Sequence, residues 1–420
     1  MESSRTIIHL DLDAFFCAVE ELRDPGLRGK PFAVGGRPEE RGVVASCSYA
    51  ARRFGVHSAM PMSRAVKLCP HLLILSSRYS AYGEASRQVM ERLHDLTPLV
   101  EQISIDEAFL DISALPDPSE SLARQLQGKI RDELGLPCSL GVASNKLVAK
   151  IATEVGKAAS RGLGAPNALT IVPAGREAEF LAPLPVDMLW GVGPKTADRL
   201  EELGIRTIGD LAAWSENDLA RRFGKNGMGL GRHARGIDPS PVVTEHETKS
   251  FSQEITFTRD VRDEHELRRT LAELSSQVAE HLRAHQASGR TVKLKLRWPD
   301  FTTLTRQTTL DGPTDAANAI GAAAIEFFEK LWSPNKAVRL LGVGVSGLAP
   351  EPRQLRLWDL AVPAITNQAG ETLPVETLEQ PEVTEKERRL QAAIAEIQAR
   401  FGPGALARGP ASDEGSKTGR

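Results

Sequence analysis

The stretch IIHLDLDAFF, Ile7 to Phe16, limits the architecture more than any other part of the chain. Successive side chains of a strand face opposite ways, so Ile8, Leu10 and Leu12 share one face while His9, Asp11 and Asp13 share the other. One face must meet a core, and the other is left to chemistry or solvent. Asp13 then suits the cap of a helix through AFFCAVEEL. Its buried stripe is expected to be Phe15, Val19 and Leu22, with Phe16 off that stripe and beside Asp11.

A second alternating segment, EQISIDEAFLDIS from Glu101, puts Ile103 and Ile105 on one face and Ser104 and Asp106 on the other. Glu107 breaks the pattern. Neighbouring strand residues point apart, so Asp106 and Glu107 converge only where the chain bends, and the alternation resumes at Leu110 and Ile112. This predicts a hairpin with the acidic pair near its tip. Further on, SLGVASNKLVAKIATEVGK reads as a strand, a turn capped by Ser144, and a helix carrying Lys146, Lys150 and Lys157.

Three carboxylates from two strands, Asp11, Asp106 and Glu107, are what a pair of divalent ions requires; such ions sit about 3.5–4 Å apart. Mg²⁺ takes a few carboxylates and completes its shell with phosphate oxygens and water. Either segment alone also reads as a solvated strand end. The two together, beside a basic helix, favour the metal site. VVASCSYAARRFGVHSAMPM from Val43 adds Tyr49, Arg52 and Arg53, a hydroxyl and two guanidinium groups suited to phosphate oxygens. The competing reading there is a solvated basic helix face.

A chain of 420 residues exceeds the roughly 250 to 300 that one core serves, so several domains are expected. Near Leu184 the texture changes to short helices and tight glycine turns. WGVGPKTADRLEELGI has the form of a helix-hairpin-helix, whose Gly191 and Gly193 let backbone N–H groups approach DNA phosphates, with Lys195 beside them. Pro194, the absent third glycine and the lack of a leading strand exclude a dinucleotide-binding turn. ARGIDPSPVV suits an exposed connector. From Lys249 to Leu348 the order strand, helix, strand, strand, helix, strand makes one α+β module. The remainder is rich in Pro and Glu until a helix at 385–401, whose stripe of Leu390, Ile394, Ile397 and Phe401 suits packing on the body.

Composition excludes several classes. With 41% hydrophobic and 25% charged residues the chain is ordinarily globular, and no apolar run approaches the roughly 20 residues of a membrane helix. MESSRT leads straight into the first strand, so no leader and a cytoplasmic location are expected. Cys17, Cys47, Cys69 and Cys138 form no C-x-x-C pair and read as buried apolar residues rather than zinc ligands or disulfides. A net charge of −3 does not advertise a nucleic-acid partner, but segregated charge would leave room for local basic strips, so composition leaves the partner open. Glutamates gather between Glu371 and Glu387, whereas Arg52 and Arg53, Arg221 and Arg222, and Lys293, Lys295 and Arg297 lie in the body.

HLDLDAFFCAVEE, VVASCSYAARRFGV, SIDEAFLDIS, ASNKLVAKIA and WGVGPKTADRLEELGI follow in that order over roughly Ile7 to Leu348. Together they resemble the Y-family translesion DNA polymerases of the bacterial DNA polymerase IV type. The resemblance implies an α+β multidomain right hand. Its palm would span 1–13 and 79–170, its fingers 14–78 and its helix-hairpin-helix thumb 171–236. A linker at 237–248 would lead to an α+β little finger at 249–348 and a flexible tail at 349–420.

It also implies low-fidelity DNA synthesis past damaged bases from dNTPs on primer-template DNA. Asp11, Asp106, Glu107 and the backbone carbonyl of Leu12 would hold two Mg²⁺ ions, and Tyr49, Arg52 and Lys157 the triphosphate. Phe16 matches the steric gate against a 2′-hydroxyl, and the small Ala45 and Ser46 match the lid over the nascent base pair. No segment resembles a proofreading exonuclease.

One departure is local: Lys157 is followed by Ala158 to Gly162 rather than Pro-x-Gly, which gives Arg161 a claim to the same task. In the tail, QLRLW resembles the peptide that docks bacterial polymerases on the sliding clamp, through Gln354, Leu355, Leu357 and Trp358. The family suggests a monomer. A non-catalytic adaptor would have lost the carboxylates, and a palm-domain nucleotide cyclase leaves the helix-hairpin-helix, the little finger and QLRLW unexplained. A polymerase V-like role is the rival within the family.

Overall fold

The computed structural model describes residues 5–160 and 164–350. The acidic strand Ile7–Leu12 lies at the centre of a five-stranded sheet. It runs antiparallel to Glu107–Asp111 on one side and to Cys138–Ala143 on the other. Val100–Gln102 and Leu169–Ile171 are the outer strands.

Ile8, Leu10 and Leu12 enter the core as expected, against Val89 and Leu93 of the helix Tyr79–Leu96 and Leu126 and Ile130 of the helix Ser119–Leu134. The opposite face is not left to solvent. The helix Lys146–Ala159 covers it, packing Leu147, Val148 and Ile151 around Ile7 and Phe109. His9 is therefore fully buried, its Nδ1 2.9 Å from the Thr153 hydroxyl. Burial, with Lys150 and Lys157 nearby, holds its ring well below the usual histidine range. Only the end of the strand remains for chemistry.

That helix lies close because Gly141 faces it: a Cβ there would stand 2.0 Å from the Ala149 carbonyl oxygen. Its N-cap is Asn145, which accepts from the Val148 N–H at 3.0 Å; Ser144, the expected cap, instead donates to Glu177 at 2.5 Å. Asp13 likewise caps nothing. Ala14 takes the left-handed conformation (φ 47°), uncommon for a residue with a side chain, and swings the chain sharply into the helix Phe15–Arg23. Asp13 turns inward, accepting from the Ser139 hydroxyl at 2.9 Å and the Asn167 N–H at 3.0 Å. Phe15 and Val19 are buried on the helix, while Leu22, assigned to the same stripe, is 41% exposed.

A three-stranded sheet, ordered Val44–Cys47, Phe32–Gly35, Leu73–Leu75, has its own small core around Ala33, Cys47, Met62 and Cys69. Five short helices between Glu177 and Ala234 continue the core beneath the lysine helix. The segment that follows is pinned at several points, although Ile237, Pro239, Pro241 and residues 244–249 are exposed as expected. Arg5 donates to the carbonyls of Asp238, Pro239 and Ser240, and the Val243 N–H donates to Glu101 at 2.8 Å. Glu101 also forms a 2.8 Å ion pair with Lys146, both side chains nearly buried.

The order expected from residue 249 onward is the observed one. Four strands, ordered Thr303–Thr314, Ala287–Arg297, Val338–Pro350, Ser250–Val261, carry the helices Glu264–Ala284 and Ala317–Leu331 on one face. Val292, Leu294 and Leu296 point into that core and Lys293 away from it. All four cysteines are free and buried, and no helix among the described residues is long and apolar enough to cross a membrane.

Candidate active site

The two acidic segments meet because the strands carrying them are paired. Asp11 stands opposite Glu107 in the ladder, and the Leu12 N–H donates to the Asp106 carbonyl at 3.0 Å. The expected bend is real. Residues 103–106 leave the strand geometry, and the Ser104 hydroxyl organises the turn, accepting from the N–H groups of Asp106 and Glu107 while donating to the Asp106 carboxylate at 2.6 Å.

The carboxylates do not converge as one trio. Oxygens of Asp11, Glu107 and Glu154 lie within 4.8 Å of one another, whereas Asp106 shares a pocket with Asp11, Leu12, Phe16, Arg52 and Lys157 and leans on Ser104. Glu154 was missed in the sequence. The signal was available: Lys150, Glu154 and Lys157 stand four and three apart, one face of one helix.

Two lysines balance the acids. Lys150 Nζ is 2.9 Å from Glu107 and Lys157 Nζ 2.5 Å from Asp11. Burial nevertheless pushes the Asp11 carboxyl up to about 7, opposed by Lys157. Burial also raises Glu107, but Lys150 foremost, with Asp11 and Lys157, more than reverses this and leaves it below the usual range. A partly desolvated cluster of hard oxygen donors, held by two flexible ammonium groups, fits divalent cations such as Mg²⁺.

The rest of the pocket comes from the three-stranded sheet and the first helix. Ala45 and Ser46 line its wall beside Arg52. Tyr49 lies under Arg52, whose guanidinium carbon is 4.6 Å from the ring centre, and opens on a neighbouring cavity beside Asp13 and Lys30 rather than on the acids. Burial foremost pushes its hydroxyl well above the usual tyrosine range. Phe16 is half-buried and stacks face to face on Tyr82, ring centres 4.3 Å apart.

Elsewhere, Gly191 adopts φ +99° in an exposed turn and Gly193 caps the helix Pro194–Glu201, with Lys195 exposed on its first turn. Gln354, Leu355, Leu357, Trp358, Arg161 and the segment 385–401 lie outside the described residues.

Comparison with known proteins places the chain in a family. Residues 10–154 match the impB/mucB/samB family, 248–357 that family's C-terminal domain and 174–205 the IMS family HHH motif. The chain is 41% identical over 403 residues to DNA polymerase IV of Desulfatibacillum aliphaticivorans, covering 95% of both chains. It is 45% identical over 355 residues to DNA polymerase IV of Streptomyces coelicolor, covering 83% of this chain and 72% of that one. Among solved structures, a Y-family DNA polymerase chimera of Dbh and Dpo4 superposes with a TM-score of 0.71 at 25% identity, over 81% of this chain and 98% of its own. An insertion ternary complex of Dbh DNA polymerase gives 0.58 at 26% identity, with the same coverage. The chain therefore belongs to the impB/mucB/samB family of Y-family, DNA polymerase IV-type enzymes, DNA-directed DNA polymerases of translesion synthesis.

Proposed function

We propose that the pocket around Asp11 adds a dNTP to a primer 3′-hydroxyl by two-metal-ion nucleotidyl transfer, with low fidelity and no proofreading. The observation that carries this reading is the register of Asp11 with Glu107, with Asp106, Phe16, Arg52 and Lys157 around one opening. Asp11, Asp106, Glu107 and the Leu12 carbonyl would hold two Mg²⁺ ions, which when bound stabilise the charge on the attacking and departing oxygens. Arg52 and Lys157, with Tyr49 behind, offer cationic and hydroxyl donors to the triphosphate, so the chain's own part is positioning and charge neutralisation. Phe16, at the edge of this pocket, would exclude a 2′-hydroxyl. Ala45 and Ser46 leave the lid small, and a pocket that excludes little discriminates little.

In this reading the five-stranded sheet is the palm, the three-stranded sheet the fingers, the short helices the thumb and the final α+β module the little finger. Gly191, Gly193 and Lys195 meet DNA phosphates, and Gln354 to Trp358 dock a sliding clamp on an otherwise monomeric enzyme.

Primer extension with Mg²⁺ on an undamaged template tests the reading. Wild type extends with dNTPs only, Asp106→Ala abolishes extension, and Phe16→Ala admits rNTPs. A wild type without activity would return the carboxylates to structure. With clamp added, Leu357→Ala with Trp358→Ala loses the stimulation; full stimulation would remove the tail peptide.

A further inference from the structure

Glu20 is 1% exposed, yet no part of the reaction described above uses it. It lies one helical turn after Phe16, so the two side chains share a face of the helix Phe15–Arg23. Across that face stands Tyr82 of the helix Tyr79–Leu96, itself fully buried. Tyr82 touches both: its ring stacks on Phe16 at 4.3 Å and 11°, and its hydroxyl donates to Glu20 at 2.7 Å. Arg78 closes the arrangement with an ion pair to the second Glu20 oxygen. Burial foremost pushes the Tyr82 hydroxyl up to about 12, so it remains a donor at working pH.

We infer that Glu20 is a positioning residue for sugar selection: it anchors Tyr82, which backs Phe16 and keeps its ring from retreating before a ribonucleotide. This rests on Phe16 being the sugar gate. A steric wall discriminates only as far as its support is rigid, because a ring free to rotate aside makes room for one oxygen atom. The hydroxyl–carboxylate bond fixes Tyr82 at the end remote from the stack. Losing it leaves the packing but frees the ring.

The test is single-nucleotide insertion, read as the ratio of kcat/KM for dNTP to that for the matching rNTP. Tyr82→Phe deletes one oxygen and is expected to lower the ratio by about tenfold or more, the scale of one hydrogen bond to a charged acceptor. Glu20→Ala should lower it similarly, while Glu20→Gln, which still accepts from Tyr82, should restore it. In a Phe16→Ala background Tyr82→Phe should have no further effect, since coupled residues are non-additive.

Should Glu20→Ala fail to fold, Tyr82→Phe decides alone. A wild-type ratio in Tyr82→Phe, with Phe16→Ala indiscriminate, overturns the inference and leaves the gate standing. Full additivity in the double variant overturns it as well. A wild-type ratio in Phe16→Ala removes the gate and this inference together.

Discussion

Lys157 is paired with the Asp11 carboxylate 2.5 Å away and lines the pocket proposed to take the incoming triphosphate. The two roles separate kinetically, because contacts to bound substrate appear in KM and contacts made only during transfer appear in kcat. As a triphosphate contact, Lys157 is worth about one charge-assisted hydrogen bond, and Lys157→Ala should raise KM for dNTP about tenfold. Steady-state insertion kinetics measure this. An unchanged KM with a lower kcat would leave Lys157 as the countercharge of Asp11. Its helix explains why one residue can do both: Lys150, Glu154 and Lys157 form one face, so positive, negative and positive groups align over the acid-bearing strands.

The element that sets this alignment is the lysine helix, and its distance from the sheet depends on Gly141. A methyl group there would meet the Ala149 carbonyl at 2.0 Å and the Thr153 N–H at 2.7 Å, backbone atoms that cannot rotate away. Gly141→Ala should therefore cost at least about 2 kcal/mol. Urea unfolding would show a lower midpoint at unchanged slope; an unaltered midpoint would mean that the helix can shift outward freely.

At this scale much of the site was legible. Alternation located the paired strands, and the break at Glu107 located the bend between them. What escaped depends on partners far away in sequence. Asp13 looks like a helix cap locally, but finds Ser139 and Asn167 across the fold. Asn145 rather than Ser144 caps because Glu177 claims the serine. The connector after Ala234 reads as exposed, yet Arg5 and Glu101 tie it to the first sheet. Glu154, from the helix above, stands within 4.8 Å of Asp11 and Glu107, while Asp106 shares the Asp11 pocket and takes a local donor from Ser104.

Across the whole molecule, a net charge of −3 must be reconciled with a polyanionic substrate. A local basic strip is what reconciles them. The helix-free face of the four-stranded sheet carries Lys293 and Lys295 beside the small residues Ser252, Gly342 and Gly344, which leave a shallow groove. This module meets the body at Arg41, whose guanidinium bonds Asp260 at 2.8 Å and the Phe257 carbonyl at 3.2 Å. On that face Lys295 is already paired with Glu254 at 2.6 Å, whereas Lys293 is exposed. Duplex binding releases about one counterion per phosphate neutralised, so each effective lysine adds nearly one unit to the slope of log affinity against log salt. Lys293→Ala should weaken primer-template binding alike for unrelated sequences and flatten that slope by about 1, measured by fluorescence anisotropy between 50 and 200 mM salt. Lys295→Ala should do less, because Glu254 already neutralises part of its charge. Equal slopes for wild type and Lys293→Ala would take this face off the path of the duplex and leave the turn at Gly191 and Gly193, with Lys195, to carry the phosphate contacts.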